Sequence, residues 1–382
     1  EGTDPGLRGV VHHDPARAWP GLNLYTNDAD EAYLMDMDGR RVHRWRLPKT
    51  PKQHCEHAEL LAGGELAVVC VNDGLFVLDR SSNVLYEHRR KVHHDVAALH
   101  DGTLIVPFHA VRPYRRRMVY FDGLSWIAPG GRTVRTWWSW RHLDRLQPHH
   151  PPSPLDQPGA WRKLLSRSYD YYHLNTVESL AATALGERDA RFRAGNLLLC
   201  MRHPALILIL DQDTEEVVWS WGPGVLDGPH MPTLLDNGHL LIFDNGTERG
   251  WSRVIELDPV TLEIAWEYRG DPPEAFHSNW RGSSQRLPNG NTLLCESDKG
   301  RVFEITPQGE TVWEFWNPEM RRRGEHGTDR KGIYRFTRVE AGLHRPPRDS
   351  EPVHGRLLDS SAEVPRGEVL QSAPRQGEEE DA

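Results

Sequence analysis

One pattern recurs six times along the chain and limits its fold more than any other feature. A Gly turn leads into a short apolar strand, a second strand runs to an acidic turn, and a further strand carries an aromatic residue. The clearest copies are GNLLLCMRHPALILILDQDTEEVVWSWG, NGHLLIFDNGTERGWSRVIELDPVTLEIAWEYRG and NGNTLLCESDKGRVFEITPQGETVWEFWNP. Looser copies precede them: LNLYTNDADEAYLMDMDGRRVHRWRLP, GGELAVVCVNDGLFVLDRSSNVLYEHR and, with an insertion, DGTLIVPFHAVRPYRRRMVYFDGLSWIAPGGRTVRTWWSW. The aromatic marker falls at Trp45, Tyr86, Trp137, Trp219, Trp266 and Trp313. Val, Ile, Leu and aromatics in the runs, with Gly, Asn and Asp between them, are strand and hairpin signals. Units of about 40–50 residues with three or four strands read as propeller blades. The expected fold is therefore all-β, a six-bladed β-propeller whose closure hides the edge strands and leaves an axial channel. The outer-strand aromatic of each unit is expected to pack between neighbouring blades.

A length of 382 residues would ordinarily suggest two or three domains, but a closed array can be one. A net charge of −9 argues against nucleic acid as the main partner. No apolar run reaches the roughly 18 residues that span a membrane. The first residue is Glu rather than Met, so an upstream signal or anchor stays open. Cys70, Cys200 and Cys295 occupy matching strands of different units, which should lie far apart, and read as small buried apolar residues. Cys55, in HCEH, fits no zinc spacing and reads as structural or incidental.

Residues 1–20 read as an N-terminal extension and 21–340 as the propeller, with an insertion at about 141–188 between blades three and four. That insertion holds a loop, HHPPSPLDQPG, and a stretch with partly helical character, WRKLLSRSYDYYHLNTVESLAATAL, and it could cap one mouth of the channel. GIYRFTRV, residues 332–339, is a candidate ring-closing strand. Residues 341–382, ending EEEDA, read as a disordered acidic tail.

Histidine is abundant, at 21 residues, and its placement is not random. His94 and His230 each stand eight residues before a turn glycine, Gly102 and Gly238. His57, His173 and His277 occupy similar segments. In a propeller these segments lead into the innermost strands, so their imidazoles should converge on the axis. Imidazole can serve there as nucleophile, general acid or base, or metal ligand. Arg202, just past an inner strand, offers a planar fork suited to sulfate, phosphate or carboxylate. Asn175, two beyond His173, could orient or bind substrate. Arg335 and Arg338 lie an odd number of positions apart, so on a regular strand at most one faces inward. The arginine runs at 115–117 and 321–323 read as solvated loop charges.

HHDV with its LHDG turn, YYHLNTV, MRHPALILILD followed by VVWSWG, HMPTLLDNGHLLIFDNG and YRFTR occur in this order. With them the chain resembles the bacterial arylsulfotransferase family, the enzymes that need no 3'-phosphoadenosine-phosphosulfate, from about Gly21 to Val339. The resemblance implies a six-bladed propeller that moves a sulfuryl group from a phenolic sulfate ester to a phenolic acceptor through a sulfated histidine. It implies His230 as nucleophile, with His94, His173 and Arg202 holding the sulfuryl oxygens. Asn175, His277, His93 and Arg335 are the expected substrate-binding residues, and His93 competes with His94 for its role. The scheme needs no cofactor and no metal, and it implies a periplasmic or extracellular location. The longer members carry a small N-terminal β-domain that assists their dimer formation; it is not expected within this sequence, and the oligomeric state stays open. Two other functions fit the same residues: a propeller that binds a ligand without turning it over, and a metalloenzyme using His54, His57, His93 and His94.

Overall fold

Each of the six turn–strand units becomes an antiparallel sheet in the computed structural model, which describes residues 6–115, 117–151, 169–322 and 328–340. Counting from the axis outward, the second blade is Cys55–Leu60, Leu66–Cys70, Gly74–Leu78 and Val84–His88. The third is Ala97–Ala98, Leu104–Tyr114, Arg117–Ile127 and Thr133–Trp138. Leu174–Ser179 begins the fourth blade, His230–Leu234 the fifth and Ser283–Arg286 the sixth. The first blade is closed from the far end of the chain, because Phe336–Val339 pairs with Leu22–Thr26 as its innermost strand. The candidate ring-closing strand is thus in place.

The middle strands of each blade are buried on both faces, as in Leu197–Met201 and Leu206–Leu210. The outer strands are not: in Arg41–Arg46 only Trp45 is buried. Continuous apolar runs suit a sheet sandwiched between two neighbours, whereas alternation suits a sheet with one wet face. Six apolar clusters fill the six seams between consecutive blades. The aromatic markers are seam residues. The indole N–H of Trp45 donates to Asp79 O of the next blade, and Trp219, Trp266 and Trp313 do the same to Pro259, Pro307 and Met37. Removing a buried Trp side chain costs about 3–5 kcal/mol. One such hydrogen bond contributes about 1 kcal/mol net, so burial holds the seams and the hydrogen bonds set their register.

Three features differ from the sequence reading. Gly9–His13, assigned to the N-terminal extension, is a fifth, outermost strand of blade six, paired with Thr311–Trp316. It carries neither a turn glycine nor an aromatic marker, so the repeat could not reveal it. Within the expected insertion, Leu174–Ser179 is the inner strand of blade four, and the helical character lies, among the described residues, in Leu143–Leu146 with the 3-10 turn Gln147–His149 after it, and in Ala184–Arg188 with a 3-10 turn, Ala190–Phe192, beyond it. Cys70 is not a free apolar residue: it is disulfide-bonded to Cys55, its cross-strand partner. Comparing cysteines between units overlooked a pair inside one unit. Cys200 and Cys295 are buried and free. Most of the Pro-rich loop and the acidic tail lie outside the described residues.

Candidate active site at the channel axis

The lead-in segments of the inner strands have an unusual backbone. His94, His173, Met231 and Arg281, one from each of blades three to six, adopt left-handed φ values of 64°, 57°, 45° and 64°. Such φ values cost L-residues about 1 kcal/mol or more and persist where the surroundings enforce them. Bulges interrupt the pairing beside three of the inner strands, between Cys55 and His57, Leu174 and Thr176, and His230 and Thr233. A bulge adds a residue on one strand and re-aims its side chains. Together they direct side chains from separate blades toward the axis.

His230 is buried, and its Nδ1 lies 2.8 Å from Asn245 Oδ1 and 3.2 Å from Gly228 O. Asn245 is oriented by its own amide, which donates to Ser278 O (2.7 Å) and Arg281 O. Its Oδ1 must therefore accept, the proton sits on His230 Nδ1, and Nε2 carries the lone pair. Burial lowers the His230 pKa to about 3, with Arg202 and His173 adding to the effect. The imidazole is neutral at physiological pH, with its lone pair on Nε2.

His93 and His94 meet through their Nδ1 atoms at 2.8 Å. Burial pushes His94 well below its ordinary value, and His173, His93, His230 and Arg281 push it further. For His93, burial is outweighed by Asp122, 3.2 Å from its Nε2, and its pKa rises. His93 is therefore the donor of the pair, and neutral His94 keeps its proton on Nε2. The rings of His94 and His173 are 4.8 Å apart, and His173 Nδ1 lies 2.6 Å from Asp170 Oδ2. Burial raises the Asp170 pKa, but the hydrogen bond and neighbouring charge of His173 outweigh it, giving about 2.

Arg202 donates from Nη2 to Thr247 Oγ1 at 3.2 Å, and a Cβ on Gly228 would come within 3.6 Å of that nitrogen. The glycine that accepts from His230 thus also lies against the guanidinium. Four of the sequence-derived residues, His230, His94, His173 and Arg202, lie in one electrostatically coupled group.

The other candidates stand differently. His93 touches His94 rather than His230, through the Nδ1 pair at 2.8 Å. Asn175 donates to Pro229 O at 2.9 Å, which braces the residue before His230. His277 is fixed by its backbone N–H to Glu296, and its Nε2 is buried without a hydrogen-bond partner. Arg335 is turned to Asp95 and His57, and lines a cavity of about 240 Å³ with Glu59 and Glu178. Arg338 is buried against Asn23 and Glu304. Only one of the two arginines thus faces that cavity.

Sequence reasoning missed Asp122, Asp170, Asn245, Arg281 and Tyr334. Arg281 lies 3.1 Å from Asp28 Oδ2, near His54 and Glu56, and 5.4 Å over the Tyr334 ring. The Tyr334 ring is in turn 6.0 Å from that of His94. Asp170 alone had a local signal, standing three residues before His173.

The metalloenzyme set does not meet at one point among the described residues. His54 pairs with Asp28, His57 with Arg335 and Asp95, and His93 with Asp122. Two other groups bring ligand atoms within 4.8 Å of one another: Asp28, His54 and Glu56, and Asp170, His173 and His203. In the first, the Arg281 guanidinium already neutralises the carboxylates.

Residues 57–318 match the arylsulfotransferase (ASST) family. Curated proteins give no match. Among solved structures, a protein of unknown function from Bacteroides caccae is 13% identical with a TM-score of 0.51, covering 78% of this chain and 94% of its own. A β-propeller domain of Swd1 from Myceliophteria thermophila is 11% identical with a TM-score of 0.45, covering 82% of this chain and 90% of its own. At such identities the likeness concerns fold alone.

Proposed function

The chain belongs to the arylsulfotransferase family, and from that membership and the neutral His230 we propose that it moves a sulfuryl group from an aryl sulfate ester to a phenolic acceptor by way of a sulfated His230. The observation that carries the reading is the fixed tautomer: Asn245 leaves the Nε2 lone pair of a buried, uncharged imidazole as the reactive atom.

In the first half-reaction Nε2 attacks sulfur, the N–S bond forms and the bond from sulfur to the aryl oxygen breaks. The departing phenolate takes the proton from His94 Nε2, while His93 passes its Nδ1 proton to His94 Nδ1. Asp122 sits beside His93 and stabilises its charged form before the transfer. Arg202 offsets the charge on the sulfuryl oxygens, and His173, held through Nδ1 by Asp170 at 2.6 Å, stands beside them. In the second half-reaction an acceptor phenol returns its proton along the same path and its oxygen attacks sulfur. The N–S bond breaks and the electron pair returns to Nε2. The net change is one sulfuryl group and one proton exchanged between two phenols, with no redox step and no nucleotide donor.

A periplasmic or extracellular location is supported by the Cys55–Cys70 disulfide, since such bonds persist in oxidising compartments. No helix among the described residues is long and apolar enough to cross a membrane. The decisive experiment is mass spectrometry after brief exposure to an aryl sulfate. One sulfuryl group is expected on the peptide carrying His230 and none in His230→Ala. Modification of another residue, or none at all, overturns the scheme.

A further inference from the structure

We propose that Asp170, His173 and His203 form a zinc site on the rim of blade four, and that zinc held there slows sulfuryl transfer. The site goes beyond the transferase reading; only its inhibitory effect rests on that reading.

One ligand atom from each of the three residues lies within 4.8 Å of the other two. The His173 and His203 rings are 4.9 Å apart, inclined at 35°. His203 Nδ1 donates to the backbone oxygen of Asp170 at 2.8 Å, which leaves its Nε2 lone pair free for a metal. A backbone carbonyl behind the distal ring nitrogen is the usual support of a metal-binding histidine, because it fixes both tautomer and ring orientation. His203 also lines a cavity of about 320 Å³ with Tyr169, Tyr171, Asp227 and Glu248. That cavity gives a cation an approach and room for water to complete its coordination. Asp227 offsets part of the positive charge of Arg202 nearby.

Two imidazoles and one carboxylate with an open fourth position suit Zn²⁺, whereas Mg²⁺ and Ca²⁺ prefer oxygen ligands throughout. His173 belongs at once to this trio and to the group around His230. A dication that fixes His173 withdraws it from the sulfuryl oxygens. His203 is exposed and belongs to none of the apolar clusters that fill the seams, so it can be replaced without disturbing them.

The test is calorimetric titration of untagged, metal-stripped protein with Zn²⁺. One equivalent is expected to bind, excess Mg²⁺ or Ca²⁺ is expected not to displace it, and His203→Ala is expected to weaken it by more than about tenfold. Absence of saturable binding, or equal binding by His203→Ala, overturns the site. With an aryl sulfate and a phenol, saturating Zn²⁺ is expected to slow the wild type and leave His203→Ala at its zinc-free rate. Equal rates with and without Zn²⁺ in the wild type overturn the inhibition alone. A protein that binds Zn²⁺ but turns over no aryl sulfate keeps the site and refutes the transferase reading.

Discussion

Replacing Asn245 by Asp puts a carboxylate where an amide oxygen now accepts from His230. The wild-type imidazole has a pKa of about 3 against an ordinary 6.5, a shift toward the neutral form of about 5 kcal/mol. Its protonation should therefore leave no acid limb on the first half-reaction above about pH 4. A carboxylate at the 2.8 Å separation of Asn245 Oδ1, in direct contact and out of water, raises a neighbouring imidazole by about 2–3 units, to about 5–6. The substitution also removes the two donor bonds that orient residue 245, which slows the reaction at every pH. The two effects separate in the ratio of wild-type to variant rates. For shifts of two to three units, the neutral fraction in the variant falls from nearly all at pH 7.5 to between about a half and a tenth at pH 5. The rate ratio should grow about two- to tenfold across that interval. The assay is single-turnover release of a coloured phenol from its sulfate ester between pH 5 and 8. Asn245→Leu, which introduces no charge, should be slow by the same factor throughout. A ratio for Asn245→Asp that does not change with pH would refute the argument that this contact sets the charge and tautomer of the nucleophile.

Arg202→Met should lower the rate of sulfuryl transfer about 100-fold or more, as loss of one donor to a developing anion does, with little change in thermal midpoint; a loss under tenfold removes Arg202 from the site. Cys55→Ser together with Cys70→Ser should destabilise the protein by about 3 kcal/mol in denaturant titration, given the 15-residue separation of the bridged cysteines. An unchanged midpoint would mean the bridge does not constrain the unfolded chain. Burial raises Glu178 to about 8, so its folded pKa exceeds the unfolded value near 4.5. Stability contributed by its neutral carboxyl is complete below about pH 4.5 and is lost as pH rises toward 8. Glu178→Gln keeps an acceptor for the Leu234 N–H and should gain more than about 1 kcal/mol over wild type between pH 5 and pH 8.5. A difference independent of pH contradicts the assignment.

The sequence by itself determined the ring. Turn glycines, apolar runs and one aromatic per unit are local signals, and repeating them six times leaves few ways to bury the strands. For the same reason it placed His94, His230 and Arg202 at blade positions that face one another. It did not determine what each imidazole does. The tautomer of His230 depends on Asn245, the charge of His93 on Asp122, and the wall beside His94 on Arg281 and Tyr334. These partners come from other turns and other blades, so no spacing along the chain records them. Nor did the repeat announce the Gly9–His13 strand or the Cys55–Cys70 bond, which exist only once the ring is closed and neighbouring strands are in register. Periodicity encodes where a backbone must go, but protonation state and reactivity depend on burial and on the groups within hydrogen-bond reach, and only the tertiary structure decides those.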